Sequence, residues 1–131
     1  MMKFFKLFNP KKVMIFGTFD ILHKGHLNFF KQAKKYGSLI VVIARDKNVL
    51  KVKGKLPRNN EGVRLSNVKK YVRNVVLGDE EDKLKVVKKL KPSLICVGYD
   101  QKYPINDLKK IGIPVKVLKP YKVHKYKSSK L

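Results

Sequence analysis

The stretch VMIFGTFDILHKGHLNFFKQAKKYG, residues 13–37, changes character twice within a few turns of chain. Val13 to Phe16 form a short apolar run with the look of a strand. From Lys24 to Tyr36 the residues Leu27, Phe30 and Ala33 recur every third position, a helical stripe, and Gly37 closes it. Between them lies a loop, Gly17 to His26, with two glycines and two histidines that leads straight into the helix. A strand, a loop rich in special residues and a helix form the first half of a crossover unit.

Outward from this unit the alternation continues. Leu39 to Ala44 is a continuous apolar run rich in β-branched residues, the signature of a strand covered on both faces. A basic, glycine-containing stretch, Arg45 to Asn60, reads as a loop, and Leu65, Val68 and Val72 give Glu61 to Val72 one apolar helical face. Then come a strand at Val75 to Leu77, a helix from Glu81 to Leu90 stopped by Pro92, and a strand at Leu94 to Val97. Ile105 to Ile111 reads as a helix ending at Gly112, and Val115 to Leu118 as a last strand. Strands joined by helices demand right-handed crossovers, so the predicted class is α/β: a Rossmann-like, doubly wound sheet of about five parallel strands with helices on both faces. A chain of 131 residues accommodates one such domain, residues 13–131, preceded by an extension at 1–12 and ending in a Lys-rich tail.

Composition narrows the class of partner. Thirty-two Lys and Arg against nine Asp and Glu give a formal charge of +23, so the ligand is expected to be anionic. Nucleic acid is one such anion. The lysines run along the whole chain, however, as in the Lys-rich surfaces of heat-adapted proteins, and nucleic acid is not expected as the main partner. No apolar run is long enough to cross a bilayer, and residues 1–12 lack the cleavage site of a signal peptide. The single cysteine, Cys96, lies in an apolar run; an internal disulfide is excluded and a reducing, cytoplasmic setting is the default.

In a sheet of this kind ligands bind in the loops beyond the carboxyl ends of the strands. The first loop is built for phosphate. His23 and His26 meet at a helix start, Gly25 between them lets a ligand approach the backbone, and the free amides and dipole of that helix end favour an anion. A zinc site would need a third plausible ligand and nearby cysteines, which two histidines at this spacing lack, so no metal-ligating side chains are assigned.

The segment Gly17-Thr18-Phe19-Asp20-Ile21-Leu22-His23-Lys24-Gly25-His26 resembles the nucleotidyltransferases with an H-x-G-H signature, and within them the cytidylyltransferase-like group. Ala44-Arg45-Asp46, Lys53-Gly54-Lys55 and Gly98-Tyr99-Asp100-Gln101 together are most similar to the archaeal FAD synthases, with the glycerol-3-phosphate cytidylyltransferases as near relatives. The resemblance implies transfer of a nucleoside monophosphate from a triphosphate, ATP or CTP, to a phosphorylated acceptor such as FMN. It also implies Mg²⁺ carried with the nucleotide, and a homodimer. By the same resemblance His23, His26, Lys53 and Arg64 are the expected catalytic residues. Gly17, Thr18, Phe19, Asp20, Gly25, Asp100, Lys127, Ser128 and Ser129 are expected to bind nucleotide.

Several roles remain open at this level. Lys51, Lys53 and Lys55 are equivalent by position, and Arg64, beside an apolar helix face, fits either the site or a surface pair. Asp20 fits either a metal or the backbone amides of its own loop. Asp100 suits a ribose or base, or an ordinary turn. A basic nucleic-acid-binding module on the same scaffold is the competing function class, though such a module has no chemical need for both histidines.

Overall fold

The computed structural model describes residues 11–98, 101 and 105–120. Five parallel strands form one sheet: β1 (Lys12–Gly17), β2 (Ser38–Ile43), β3 (Asn74–Leu77), β4 (Leu94–Gly98) and β5 (Val115–Leu118). They lie in the order β3-β2-β1-β4-β5. Side chains alternate across this sheet, and both faces are apolar. Val13, Ile15, Leu39, Val41, Ile43, Val75 and Cys96 point to one face, while Met14, Phe16, Ile40, Val42, Ile95 and Val97 point to the other. That is why the strand runs read as continuous.

Helices α1 (Lys24–Lys34) and α3 (Glu61–Lys69) cover the first face through Phe30, Ala33 and Val68. Helices α4 (Lys85–Leu90) and α5 (Ile105–Ile111) cover the second through Val87 and Leu108. The chain winds outward from β1 to β3, then crosses to the far side and winds out again through β4 and β5. The strand order thus reverses between β1 and β4, and their carboxyl ends part to leave a crevice.

The expected doubly wound sheet is present, with three local differences. Strand β1 begins at Lys12, one residue before the expected start at Val13, and Lys11 and Lys12 accept backbone hydrogen bonds from Ser38 and Ser93, at 2.7 and 2.8 Å. Helix α4 starts at Lys85 and not at Glu81, since the Asp79 carboxylate takes up the amides of Glu81 and Asp82 in a turn. The largest difference lies in the stretch read as a loop from Arg45 to Asn60, which contains a further helix, α2 (Asp46–Lys53). It ends on Gly54 in the left-handed conformation (φ 77°), whose amide bonds to Leu50 O at 2.8 Å.

Candidate active site

Helix α1 opens with two interlocked histidines. His23 is the N-cap, and its Nδ1 accepts the amide of Gly25 at 3.0 Å; Nδ1 of His26 accepts the amide of His23 at 3.3 Å. This reciprocal arrangement has the form of a capping box built from imidazoles. Its chemical consequence is a fixed tautomer. With both Nδ1 atoms serving as acceptors, each neutral ring carries its proton on Nε2, on the edge away from the helix backbone. The rings stack at a centroid distance of 3.9 Å, and both line the main cleft. Burial, and secondarily the neighbouring His23, push the pKa of His26 down to about 4. At neutral pH His26 is therefore an uncharged Nε2–H donor.

Two glycines and a strained phenylalanine make room for this pair. A Cβ on Gly25 would stand 2.8 Å from Cε1 of His23, and one on Gly17 would stand 2.6 Å from the Phe19 ring. Phe19 itself has a left-handed backbone (φ 49°), which turns its ring into the core against Phe30 and edge-on to His26, 5.4 Å away. A bulky residue in this conformation is costly and persists only where its surroundings hold it. Here the core position of the ring holds it.

The cleft has a volume of about 1360 Å³ and sits over the β1/β4 crevice. Gly17, Thr18, Phe19, Asp20, Gly25 and Lys53 line it, together with His23 and His26. Lys53 Nζ lies 3.5 Å from Thr18 Oγ1, which separates it from its neighbours: Lys55 also lines the cleft, and Lys51 does not. Asp20 holds the loop after α2, with its two carboxylate oxygens accepting from the amides of Arg58 and Asn59 at 2.7 and 2.8 Å. Burial pulls its pKa upward, but these amides and the charges of Arg64 and Arg58 outweigh it and hold the carboxyl below its ordinary value.

Arg64 departs from expectation. It is fully buried and does not line the cleft. Its guanidinium donates to Thr18 O (2.8 Å), Asn59 O (2.9 Å) and Asp46 Oδ1 (2.7 Å). Asp46 and Glu61 exchange backbone-to-carboxylate bonds, and Glu61 also pairs with Arg45 at 3.1 Å. Arg64 therefore braces the histidine loop through Thr18 O. An unsatisfied guanidinium would not be stable at that depth, and here each of its three nitrogens has an acceptor.

Three other cleft residues were given no role from the sequence, although Gln101 stands in the Gly98-Tyr99-Asp100-Gln101 segment. Gln101 bridges the two sides of the crevice, donating to Phe16 O at the end of β1 and accepting from Gly98 N at the end of β4. Asn48 donates to Asp79 O, and Gln32 binds both backbone groups of Lys119. Only Gln32, polar on an otherwise amphipathic helix, carried a signal of its own in the sequence pattern. Asp100, Lys127, Ser128 and Ser129 lie outside the described residues, as do residues 1–10 of the extension.

Among the described residues no helix is long and apolar enough to cross a membrane. Cys96 is buried, and that burial pushes its thiol up to about 11 against the pull of Lys116. It is a core side chain and not a nucleophile.

Known proteins share this architecture and sequence. A protein named FAD synthase from Thermoplasma volcanium is 42% identical, over 82% of this chain and 80% of its own length. A second FAD synthase, from Pyrococcus horikoshii, is 40% identical over 92% of this chain and 88% of its own. The crystal structure of a lipopolysaccharide core biosynthesis protein from Thermoplasma volcanium superimposes with a TM-score of 0.74 at 39% identity, covering 86% of this chain and 97% of that one. The family model described as Cytidylyltransferase-like matches residues 14–125. With the histidine pair at the head of α1 and the cleft over the strand-order reversal, this match means that the chain belongs to the cytidylyltransferase-like family of nucleotidyltransferases.

Proposed function

We propose that the protein is an FAD synthase, transferring AMP from ATP to the phosphate of FMN with release of pyrophosphate. The observation that carries the chemistry is the pair of imidazoles whose Nδ1 atoms are occupied by backbone amides, leaving two Nε2–H donors at the cleft. The choice of ATP and FMN rests on relatives of 40–42% identity named FAD synthase.

The FMN phosphate is already an anion at neutral pH, so its oxygen attacks the α-phosphorus without a general base. The bond from the α-phosphorus to the bridging oxygen breaks, and the electron pair leaves with pyrophosphate. Catalysis then consists of alignment and of stabilising negative charge as it moves onto the leaving group. His23 and His26 donate to phosphate oxygens. Lys53, beside Thr18, supplies positive charge where donor and acceptor phosphates meet. The amides and dipole at the start of α1 add to the same field.

Mg²⁺ fits this site as an ion held mainly by substrate phosphates and water, which is how that cation usually binds. Among the described residues no cluster of three ligating side chains occurs, and Asp20, the carboxylate within the histidine loop, already serves two amides. When bound, the ion would neutralise the charge of the departing pyrophosphate. We further assign Asp100 to the nucleoside, and Lys127, Ser128 and Ser129 to the triphosphate. A cytoplasmic homodimer completes the reading.

The test offers ATP or CTP with FMN or glycerol 3-phosphate, in Mg²⁺, and separates the products by chromatography. FAD from ATP and FMN is the expected product. CDP-glycerol without FAD would reject the flavin assignment and leave a cytidylyltransferase; no product from any pair would favour a binding module.

A further inference from the structure

Helix α2 is amphipathic toward the cleft and not toward the core. Arg45, Asn48, Val49, Val52 and Lys53 line the cleft, at spacings of three, one, three and one, which is one face of a helix. Leu50 and Lys51 fall on the other face and do not line it. On the cleft side Val52 is 70% exposed, and Leu56 (60%) and Ile21 (53%) line the same cleft, Ile21 following Asp20, which accepts from the amides of Arg58 and Asn59 just beyond Pro57. Together with Pro57 they form an apolar shelf along the cleft, whose lining also includes Lys53, Lys55 and Arg58.

We infer that this shelf is the seat of the acceptor's aromatic ring: the isoalloxazine of FMN lies on Val52, Leu56 and Ile21, with its phosphate directed to Lys53 and Thr18. The inference rests on the FAD synthase reading. Three features choose this occupant. The shelf and the phosphate loop are continuous, because Val52 precedes Lys53 in the chain and Lys53 Nζ reaches Thr18 Oγ1. The cationic rim complements a ligand with an apolar body and an anionic end. The cleft also exceeds the roughly 300–1,000 Å³ of a single-ligand pocket, leaving room for two substrates.

Adenine fits the shelf less well. A base is distinguished by hydrogen bonds to its edge, and Ile21, Val52, Leu56 and Pro57 carry no polar side-chain atom. Polar side chains line other parts of the cleft, Gln101 at the β1/β4 crevice and Asn48 against Asp79 O at the start of α2.

The experiment compares wild type with Val52→Ser, Leu56→Ser and the double variant, using Leu50→Ser, on the opposite face of α2, as control. FMN binding is titrated by quenching of flavin fluorescence without ATP; KM is measured for each substrate, and sedimentation gives the oligomeric state. The double variant is expected to bind FMN about tenfold or more weakly, the scale of a lost apolar contact in a pocket, with KM for ATP and the Leu50→Ser control unchanged. Unchanged FMN affinity in the double variant would overturn the shelf, and so would a rise confined to the KM for ATP, which would seat adenine there. A change of assembly state with FMN affinity retained would make the shelf a contact between copies of this chain and overturn it equally. If wild type makes no FAD and binds no flavin, the functional reading itself falls, and the shelf with it; wild type that makes FAD beside unaffected variants removes the shelf alone.

Discussion

Replacing Arg64 by Met separates two roles that the sequence left together. The guanidinium is fully buried and donates to Thr18 O, Asn59 O and Asp46 Oδ1, so the substitution strips three acceptors of their donor while keeping much of the side-chain volume. Breaking a buried ion pair by removing one partner costs about 3–5 kcal/mol. Asp46 is 27% exposed and keeps its bond from Glu61 N, so water can serve it in part and the lower end applies, about 3 kcal/mol. For a chain of this length that corresponds to a fall in Tm on the order of 10 °C. Thr18 loses its anchor at the same time, and kcat measured well below both melting temperatures should fall with it. Arg64→Lys keeps the charge without the fork and should lie between wild type and Met in both measurements. A melt of the Met variant within about 2 °C of wild type would refute the brace, since that is under 1 kcal/mol. A wild-type melt with a rate lowered a hundredfold would instead put Arg64 in contact with substrate, at roughly 2.7 kcal/mol of lost transition-state stabilisation.

Asparagine at position 23 or 26 keeps an acceptor for the helix amide but removes the Nε2 donor, so each variant should lose about a hundredfold in kcat with little change in Tm; normal turnover would remove that histidine from the mechanism. Alanine at either position loses the cap as well and should also melt lower, by the equivalent of about 1 kcal/mol. Gly25→Ala sets a methyl 2.8 Å from the His23 ring and should reduce activity more than stability, as separate melts and rates would establish. Because His26 titrates near 4 when folded and near 6.5 when unfolded, the unfolded chain binds more protons between those values. Stability should therefore decline as pH falls from about 6.5 to about 4, by less than about 3 kcal/mol for a partly buried ring, and denaturant titrations of His26→Asn should give a flatter profile. Deleting residues 127–131 should weaken ATP binding in calorimetry, and unchanged affinity would remove Lys127, Ser128 and Ser129 from the triphosphate site.

The sheet was legible because its strands are buried on both faces and its main helices bury a stripe against it: Leu39 to Ala44 and the Leu27, Phe30, Ala33 series follow the two periods directly. Helix α2 was not, because periodicity was sought against a core. Of its residues only Val49 is buried, and its ordered face meets the cleft, where lysine and valine alternate without an apolar majority. The histidine loop was legible as two imidazoles meeting at a helix start. What spacing did not convey was that the imidazoles cap their own helix and so fix their tautomer. Arg64 illustrates a different limit. An arginine beside an apolar face says that a charge will be buried or surface-bound, while its acceptors, two carbonyls and an aspartate from distant segments, are fixed only by the fold.

Position-specific labelling of ATP follows adenylyl transfer to the flavin phosphate atom by atom. With unlabelled FMN and Mg²⁺, label in the α-phosphate should appear in a product that co-elutes with FAD, and label in the γ-phosphate should appear only in pyrophosphate, with neither transfer occurring in a His23→Asn, His26→Asn protein. Retention of the α-label in ATP, its release as free AMP, or passage of the γ-label to the flavin would contradict the account.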